Sequence, residues 1–296
     1  MKIGRRMLVL AVTAILVSPA VAVGAAPGGG RFAPTDLEKL QLWLDAADRK
    51  TLYQDVARKK AARAGGDPVA LWRDKSGGGR DAVQADAGAR PSYQPKAQNG
   101  RSGLRFDGEN DWLDAGAFAQ SFGPVNWTVF LVVQPKIADA SSERGAMAAL
   151  VVSDPAGRGV RRGFQIAPNL RLEYKNKQRE QKRNVKARHK AGGDWEIWEI
   201  VNDGGNVSIA VDGAEKASER LEPEGDAPYP EGAIGGYRAS GKGVEDLWSG
   251  HIGEIIVYGD PKNAVDRGQV RHYLAARWGM TLKAPEAGAP AKGGNP

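Results

Sequence analysis

Trp127-Thr128-Val129-Phe130-Leu131-Val132-Val133 is the stretch that decides the fold class. Trp127, Val129, Leu131 and Val133 alternate with Thr128, Phe130 and Val132, so at the two-residue period of a strand both faces are apolar. A strand of that kind belongs at the centre of a sandwich. Trp195 to Val201 is a second such run. Val207, Ile209 and Val211 alternate with smaller residues and lead into Asp212-Gly213, a two-residue hairpin signal. Ile252 to Tyr258 closes the series. Short strands separated by Gly, Asp and Asn turns, without helices between them, predict an all-β sandwich.

One helix follows the last strand. Asn263 is a good N-cap, Asp266 stands three residues on, and Val270, Tyr273, Leu274 and Trp278 form one apolar stripe. Gly279 is placed to end the helix, which is expected to pack outside the sandwich. A second short helix is expected over Asp55 to Ala64, which is rich in Ala, Arg and Lys.

The ends read differently. Lys2, Arg5 and Arg6 precede an apolar run from Met7 to Val17, and Ala20-Val21-Ala22 supplies the small residues a signal peptidase requires. Residues 1–22 therefore read as a cleavable signal peptide, because about eleven apolar residues are too few to cross a hydrocarbon core of ~30 Å. Residues 23–34 form a linker with Gly28-Gly29-Gly30, residues 35–282 one domain, and residues 283–296 a tail without apolar periodicity. The chain is expected to reach the periplasm or the cell exterior. It contains no cysteine, which excludes a lipid-modified cysteine and a disulfide framework, so the core alone must hold the fold. The formal charge of +7 includes the three signal cations.

The order of segments carries a resemblance. Leu42-Trp43-Leu44-Asp45-Ala46, Leu71-Trp72-Arg73-Asp74-Lys75-Ser76-Gly77 and Arg80-Asp81-Ala82 come first. Leu104-Arg105-Phe106-Asp107-Gly108-Glu109-Asn110-Asp111-Trp112-Leu113 follows, then the Trp127 strand ending in Gln134-Pro135, Trp195 and Val211-Asp212-Gly213. Ile234-Gly235-Gly236 and Gly250-His251-Ile252-Gly253-Glu254-Ile255-Ile256-Val257-Tyr258 precede the helix. This series resembles the LamG-like jelly-roll group of the concanavalin A-like lectin/glucanase superfamily, across nearly the whole domain. The resemblance implies a two-sheet antiparallel jelly-roll sandwich with the C-terminal helix outside. It also implies a binding module for carbohydrate or another cell-surface or extracellular macromolecule, with a glycoside hydrolase or a purely structural envelope or matrix protein as alternatives.

Catalytic patterns are poor. Superfamily glucanases carry E-x-D-x-E or E-x-D-x-x-E along one strand, so that two acids share a face. Glu109-Asn110-Asp111-Trp112-Leu113-Asp114 comes nearest, but Asp114 replaces the last Glu and the triplet straddles a turn. Glu196 and Glu199, three apart, fall on opposite strand faces, and His251 and Glu254 are read the same way. Three scattered histidines and no cysteine speak against zinc, and there is no Gly-x-Ser-x-Gly elbow or phosphate loop. Relatives in this superfamily bind calcium through loop carboxylates and carbonyls, which makes Asp107, Asn110, Asp111 and Asp114 the candidate calcium ligands.

The sharpest charge feature is the run from Lys175 to Lys190, with eight Lys or Arg against one Glu. It lacks interleaved aromatics, and the chain reads as exported, so nucleic acid is not the expected partner. A solvated hairpin or loop is one reading. The other is a ligand edge for an anionic polysaccharide, carried by Lys175, Lys177, Arg179, Lys182, Arg183, Lys186 and Arg188. Trp112, Tyr174, Tyr229, Tyr237 and Trp248 lie in or near loops and are the candidate sugar platforms.

Overall fold

The computed structural model describes residues 31–120, 123, 125–136, 150–154, 162–165, 171–174, 183–187, 189, 192–221, 231–239, 243–245 and 247–283. In chain order, β1 (Leu40–Asp45), β2 (Leu52–Tyr53), β3 (Leu71–Trp72), β4 (Ala82–Val83), β5 (Ser92–Gln98), β6 (Arg101–Asp107) and β7 (Leu113–Asp114) precede a short helix, α1 (Gly116–Ala119). The strands β8 (Trp127–Pro135), β9 (Leu150–Asp154), β10 (Arg162–Gln165), β11 (Arg171–Tyr174), β12 (Arg183–Lys186) and β13 (Glu196–Asp203) follow. The series ends with β14 (Asn206–Val211), β15 (Ala214–Arg220), β16 (Glu231–Ile234), β17 (Tyr237–Ala239), β18 (Gly243–Glu245), β19 (Ser249–Tyr258) and α2 (Ala264–Trp278).

Two antiparallel sheets pack face to face as a jelly-roll sandwich. One has the order β15-β14-β13-β8-β19-β6-β5, with β1 also on β19, and the other the order β10-β9-β16-β7-β4-β3-β2. Trp127, Val129, Leu131 and Val133 of β8 point into the core between the sheets, joined by Trp198, Ile200, Leu104, Phe106, Ile252 and Ile255. Phe130 and Val132 point the opposite way, into a second cluster with Ile197, Ile256, Tyr258, Val270, Leu274 and Trp278. The doubly apolar strand is thus explained: one face meets the other sheet and the second meets α2. Each buried Leu, Ile, Val or Phe side chain contributes roughly 1.5–3 kcal/mol through removal from water.

The local chemistry of α2 matches its sequence. Asn263 accepts from the amides of Val265 and Asp266, its own amide donates to Asp266 Oδ2 at 2.9 Å, and Gly279 ends the helix with φ +65°. Asn263→Ala is therefore expected to cost about 1 kcal/mol, read as a lower denaturant midpoint. The Asp212-Gly213 hairpin joins β14 to β15 with both residues at positive φ, +51° and +89°, as a two-residue turn of this twist requires.

Two expectations are corrected. Asp55 to Ala64 is a chain of turns, not a helix. Asp55 accepts from the amides of Lys59 and Lys60, Arg58 has φ +62°, and Ala61 bridges to Tyr53. Helix-forming residues without an apolar stripe had no face to bury, and a side-chain turn won.

The second correction concerns β19. Its register shifts between Ile252 and Glu254, where β6 hands over to β1 along the same edge. Ile252 and Ile255 both face the inner core, while Glu254 and Ile256 face α2. The extra residue, Gly253, lets the sheet slip by one, so Glu254 and His251 lie on the same face. A Cβ on Gly253 would stand 2.5 Å from the Trp278 ring, so only glycine fits beneath it.

Glu254 is fully buried there. Its Oε1 accepts from Trp43 Nε1 at 2.8 Å and from the Tyr273 hydroxyl at 2.9 Å, and its Oε2 accepts from Trp278 Nε1 at 2.8 Å. Beside it, buried Asp45 receives Lys75 Nζ at 2.9 Å and Arg277 at 2.6 Å. On β13, Glu199 meets Arg267 at 3.2 Å and Arg271 at 2.6 Å, a further tie between sheet and helix.

Candidate functional site

At the end of the first sheet nearest the C-terminus of α2, four side chains from neighbouring strands stand in one row. His251 on β19 pairs with Arg105 on β6 along one edge and with Gln134 on β8 along the other. Glu196 pairs with Val133, which puts Trp195, just before β13, beside Gln134. Alternation explains why all four face outward, since Leu104, Val133, Ile252 and Glu196 next to them lie on the inner face. At ~4.8 Å per strand step the row is about 14 Å long. Arg105 is exposed, whereas Gln134, Trp195 and His251 are half-buried.

The row is held rigidly. The Trp195 ring stacks on Trp278 with centroids 5.5 Å apart and a 20° interplanar angle, and the His251 ring lies 5.8 Å from Trp195. Gln134 Nε2 donates to the Gly193 carbonyl at 3.0 Å, fixing the Gly192-Gly193-Asp194 turn in which Gly193 has φ +85°. Burial, together with the nearby charge of Arg105, lowers the His251 pKa below the usual histidine value.

Two hollows meet at Gln134. One, of about 340 Å³, lies over Arg105, Gln134, Lys136, Gly193 and His251. The other, of about 370 Å³, is lined by Gln98, Gln134, Asp194, Trp195, Asp212 and Thr281. Asp212 is committed elsewhere: its Oδ1 accepts from the Ile197 amide at 2.9 Å and its Oδ2 pairs with Lys283 at 3.1 Å. An aromatic edge, amides and charged groups in a shallow cleft suit a polar ligand with an apolar face.

The residues singled out from the sequence lie elsewhere. Asp107, Asn110, Asp111 and Asp114 occupy the turn from β6 into β7. Asp107 Oδ1 accepts from the amides of Glu109 at 2.8 Å and Asn110 at 3.1 Å, Asp111 Oδ2 accepts from the Asp107 amide at 3.0 Å, and Asp114 Oδ1 from the Gly116 amide at 2.7 Å. Burial pushes Asp111 up to about 6, helped by the Asp107 charge. For Asp107, burial pushes upward, but the amides of Glu109, Asn110 and Asp111 outweigh it and the net shift is down. Among the described residues no three His, Asp or Glu side chains gather as a metal-holding group.

Of the basic run, Lys175, Lys177, Arg179, Lys182 and Arg188 lie outside the described residues. Arg183 and Lys186 are in β12, which pairs with β11 so that Arg183 is opposite Tyr174 and Lys186 opposite Arg171. The end of this run is anchored: Val185 and Ala187 join the inner core, and His189 Nε2 lies 2.9 Å from Glu196 Oε1, whose other oxygen accepts from Trp198 Nε1 at 2.6 Å. Glu196 and Glu199 do fall on opposite faces, the one toward Trp198 and the other toward α2. Among the candidate sugar platforms, Trp248 is fully buried and Trp112 half-buried. Tyr229 and the side chains of Tyr174 and Tyr237 are outside the described set. Sequence reading passed over Trp195, which looked like the first residue of a buried strand. The Gly192-Gly193-Asp194 turn before it was the available signal that its side chain sits at a rim.

No protein-family model matches the chain, and no curated protein matches it in sequence. Solved structures do match in shape. Domain 4 of AbnA, a GH43 extracellular arabinanase from Geobacillus stearothermophilus, solved with arabinotriose, superimposes with a TM-score of 0.53 at 12% identity, over 79% of this chain and 98% of that one. The Ruminococcus gnavus IT-sialidase CBM40 gives a TM-score of 0.44 at 16% identity, over 57% of this chain and 95% of that one. The receptor-binding domain of botulinum neurotoxin type G gives 0.49 at 12%, over 79% and 52%. At such identities the likeness to the arabinanase domain is one of fold, a lectin-like jelly roll. Among the described residues no helix is long and apolar enough to cross a membrane.

Proposed function

We propose that this chain is an exported, non-enzymatic carbohydrate-binding module of the LamG-like kind, and that its glycan site is the outer cleft of Arg105, Gln134, Trp195 and His251. The observation that carries the reading is the row itself: four adjacent strands present a guanidinium, an imidazole, an amide and an indole along about 14 Å. That spacing suits a short run of sugars, with hydroxyls on Gln134 and the edge of the Trp195 indole against an apolar part of a sugar. Domain 4 of the arabinanase, which was solved with arabinotriose, has the same fold and supports the reading by analogy. The signal-like residues 1–22 support export.

A non-enzymatic role is favoured by the acids of the cleft. Glycoside hydrolysis takes two free carboxyl groups facing the bond. Among the described residues lining the cleft the acids are Asp194 and Asp212, and both oxygens of Asp212 are engaged. The test is a glycan array followed by titration of the best ligand with the full chain, Trp195→Ala and Gln134→Ala. Each variant is expected to bind at least about tenfold more weakly, a loss of ~1.4 kcal/mol, while keeping a native circular-dichroism spectrum. Unchanged affinity in both would move the site elsewhere, with the Lys175–Lys190 run next to be tested by Lys/Arg→Gln changes. Repeating the array with and without calcium tests the Asp107–Asp114 turn as a cation site.

A further inference from the structure

The two hollows of the cleft differ in charge. Arg105, Lys136 and His251 stand around the first, and none of the described residues lining it is an acid. Arg105 and Lys136 are both exposed, and neither makes an ion pair with another described residue. Asp107 at the end of the same strand and Asp111 in the turn after it feel the Arg105 charge, but their carboxylates accept from the amides of their own turn. The second hollow is different: it offers the amides of Gln98 and Gln134, the Thr281 hydroxyl and the exposed carboxylate of Asp194. Against a neutral sugar, Lys136 has no carboxylate partner among the described residues and Arg105 has only the field of Asp107 and Asp111 in the neighbouring turn. A ligand with a carboxylate would supply one, and the planar fork of an arginine matches a carboxylate with two parallel hydrogen bonds.

Resting on the reading of the cleft as a glycan site, we propose that its ligand class is a uronic-acid glycan. The sugar carboxylate lies between Arg105 and Lys136. The His251 ring makes one hydrogen bond to the same sugar, and the hydroxyls of the next unit meet Gln134 and Asp194 beside the edge of Trp195. Polarity along the row then fixes the direction in which the chain is bound.

The experiment uses oligogalacturonate and its methyl ester, which share a backbone and differ in charge. Titration calorimetry of the full chain is expected to show at least tenfold tighter binding of the free acid, weakening as salt is raised. Arg105→Gln and Lys136→Gln, both at exposed positions, are each expected to reduce the ratio of acid to ester affinity at least threefold, and a ratio unchanged in both overturns the uronate inference. Equal binding of acid and ester, abolished by Trp195→Ala, overturns the uronate inference and leaves the cleft as a glycan site. Unchanged binding in Trp195→Ala removes the cleft reading and this inference with it. Failure to bind either oligomer, with a neutral glycan bound through Trp195, likewise overturns the uronate inference alone.

Discussion

Replacing Glu254 with alanine is expected to lower stability by about 3–5 kcal/mol, as is typical when one partner of a buried charged network is removed. Glu254 is fully buried, and three donors, the indoles of Trp43 and Trp278 and the Tyr273 hydroxyl, converge on it. Alanine leaves these donors without acceptors in a place water does not reach, at ~1–3 kcal/mol for each buried group left unsatisfied. The cavity adds to the loss, and at ~2–4 °C per kcal/mol for a domain of this size the melting temperature should fall by roughly 10 °C. A variant within 1 kcal/mol of the parent in denaturant unfolding would sink this account.

The same residue gives a pH signature. Burial, followed by the negative charge of Asp45, raises Glu254 to about 7, against the opposing pull of Arg277, Trp278 and Trp43. The folded chain therefore holds a proton that the unfolded chain releases between its ordinary value of 4.5 and about 7. More protons bound in the folded state means that stability falls as pH rises through this window and levels off above it. Glu254→Gln should remove that contribution, so its unfolding free energy should fall less steeply than the parent's from pH 5 to 7. Parallel curves for the two proteins would assign the slope to another group.

Gly250→Ala is expected to be equally damaging for a different reason. Gly250 has φ +136°, a backbone region that side chains rarely enter. A Cβ there would fall on the Gln134 carbonyl oxygen and within 2.8 Å of the Lys136 amide, both main-chain atoms of the paired strand β8. Strain of ~1–3 kcal/mol for the backbone and a similar term for overpacking sum to about 2–6 kcal/mol. Because Gln134 is displaced, the glycan binding proposed for the cleft should weaken along with stability. An alanine variant that melts and binds like the parent would show that β8 and β19 can separate locally without cost.

The parts of this molecule that were legible in the sequence are those set by local chemistry. The β8 alternation, the Asp212-Gly213 turn and both caps of α2 depend on residues a few positions apart, and each forms as its pattern implies. The strands β2, β3, β4 and β7 are two residues long, too short to show any period. The bulge at Gly253 arises where β6 and β1 share one edge of β19, a meeting of segments some 150 residues apart or more in their distance to β19. That single inserted residue puts His251 and Glu254 on one face, against the simple alternation expected of them. The cleft was hidden for the same reason. Arg105, Gln134, Trp195 and His251 come from four strands and have no common motif, and the acidic turn and basic run drew attention because their residues are contiguous. The Asp55–Ala64 misreading is of another sort: composition favoured a helix, but one Asp side chain and a left-handed Arg58 were enough to prevent it.

The pairing of β1 with β19 has a consequence in time. The first strand of the sheet lies against the last, and Trp43 finds its acceptor 211 positions further along. Until residue 258 has been synthesised, β1 and β6 have no common neighbour and β8 has one open edge. Contacts this distant make closure slow relative to that of helical proteins. The nascent chain therefore remains unable to complete its sheet until residue 258 is made, and a chain in that state can still be threaded through a narrow pore.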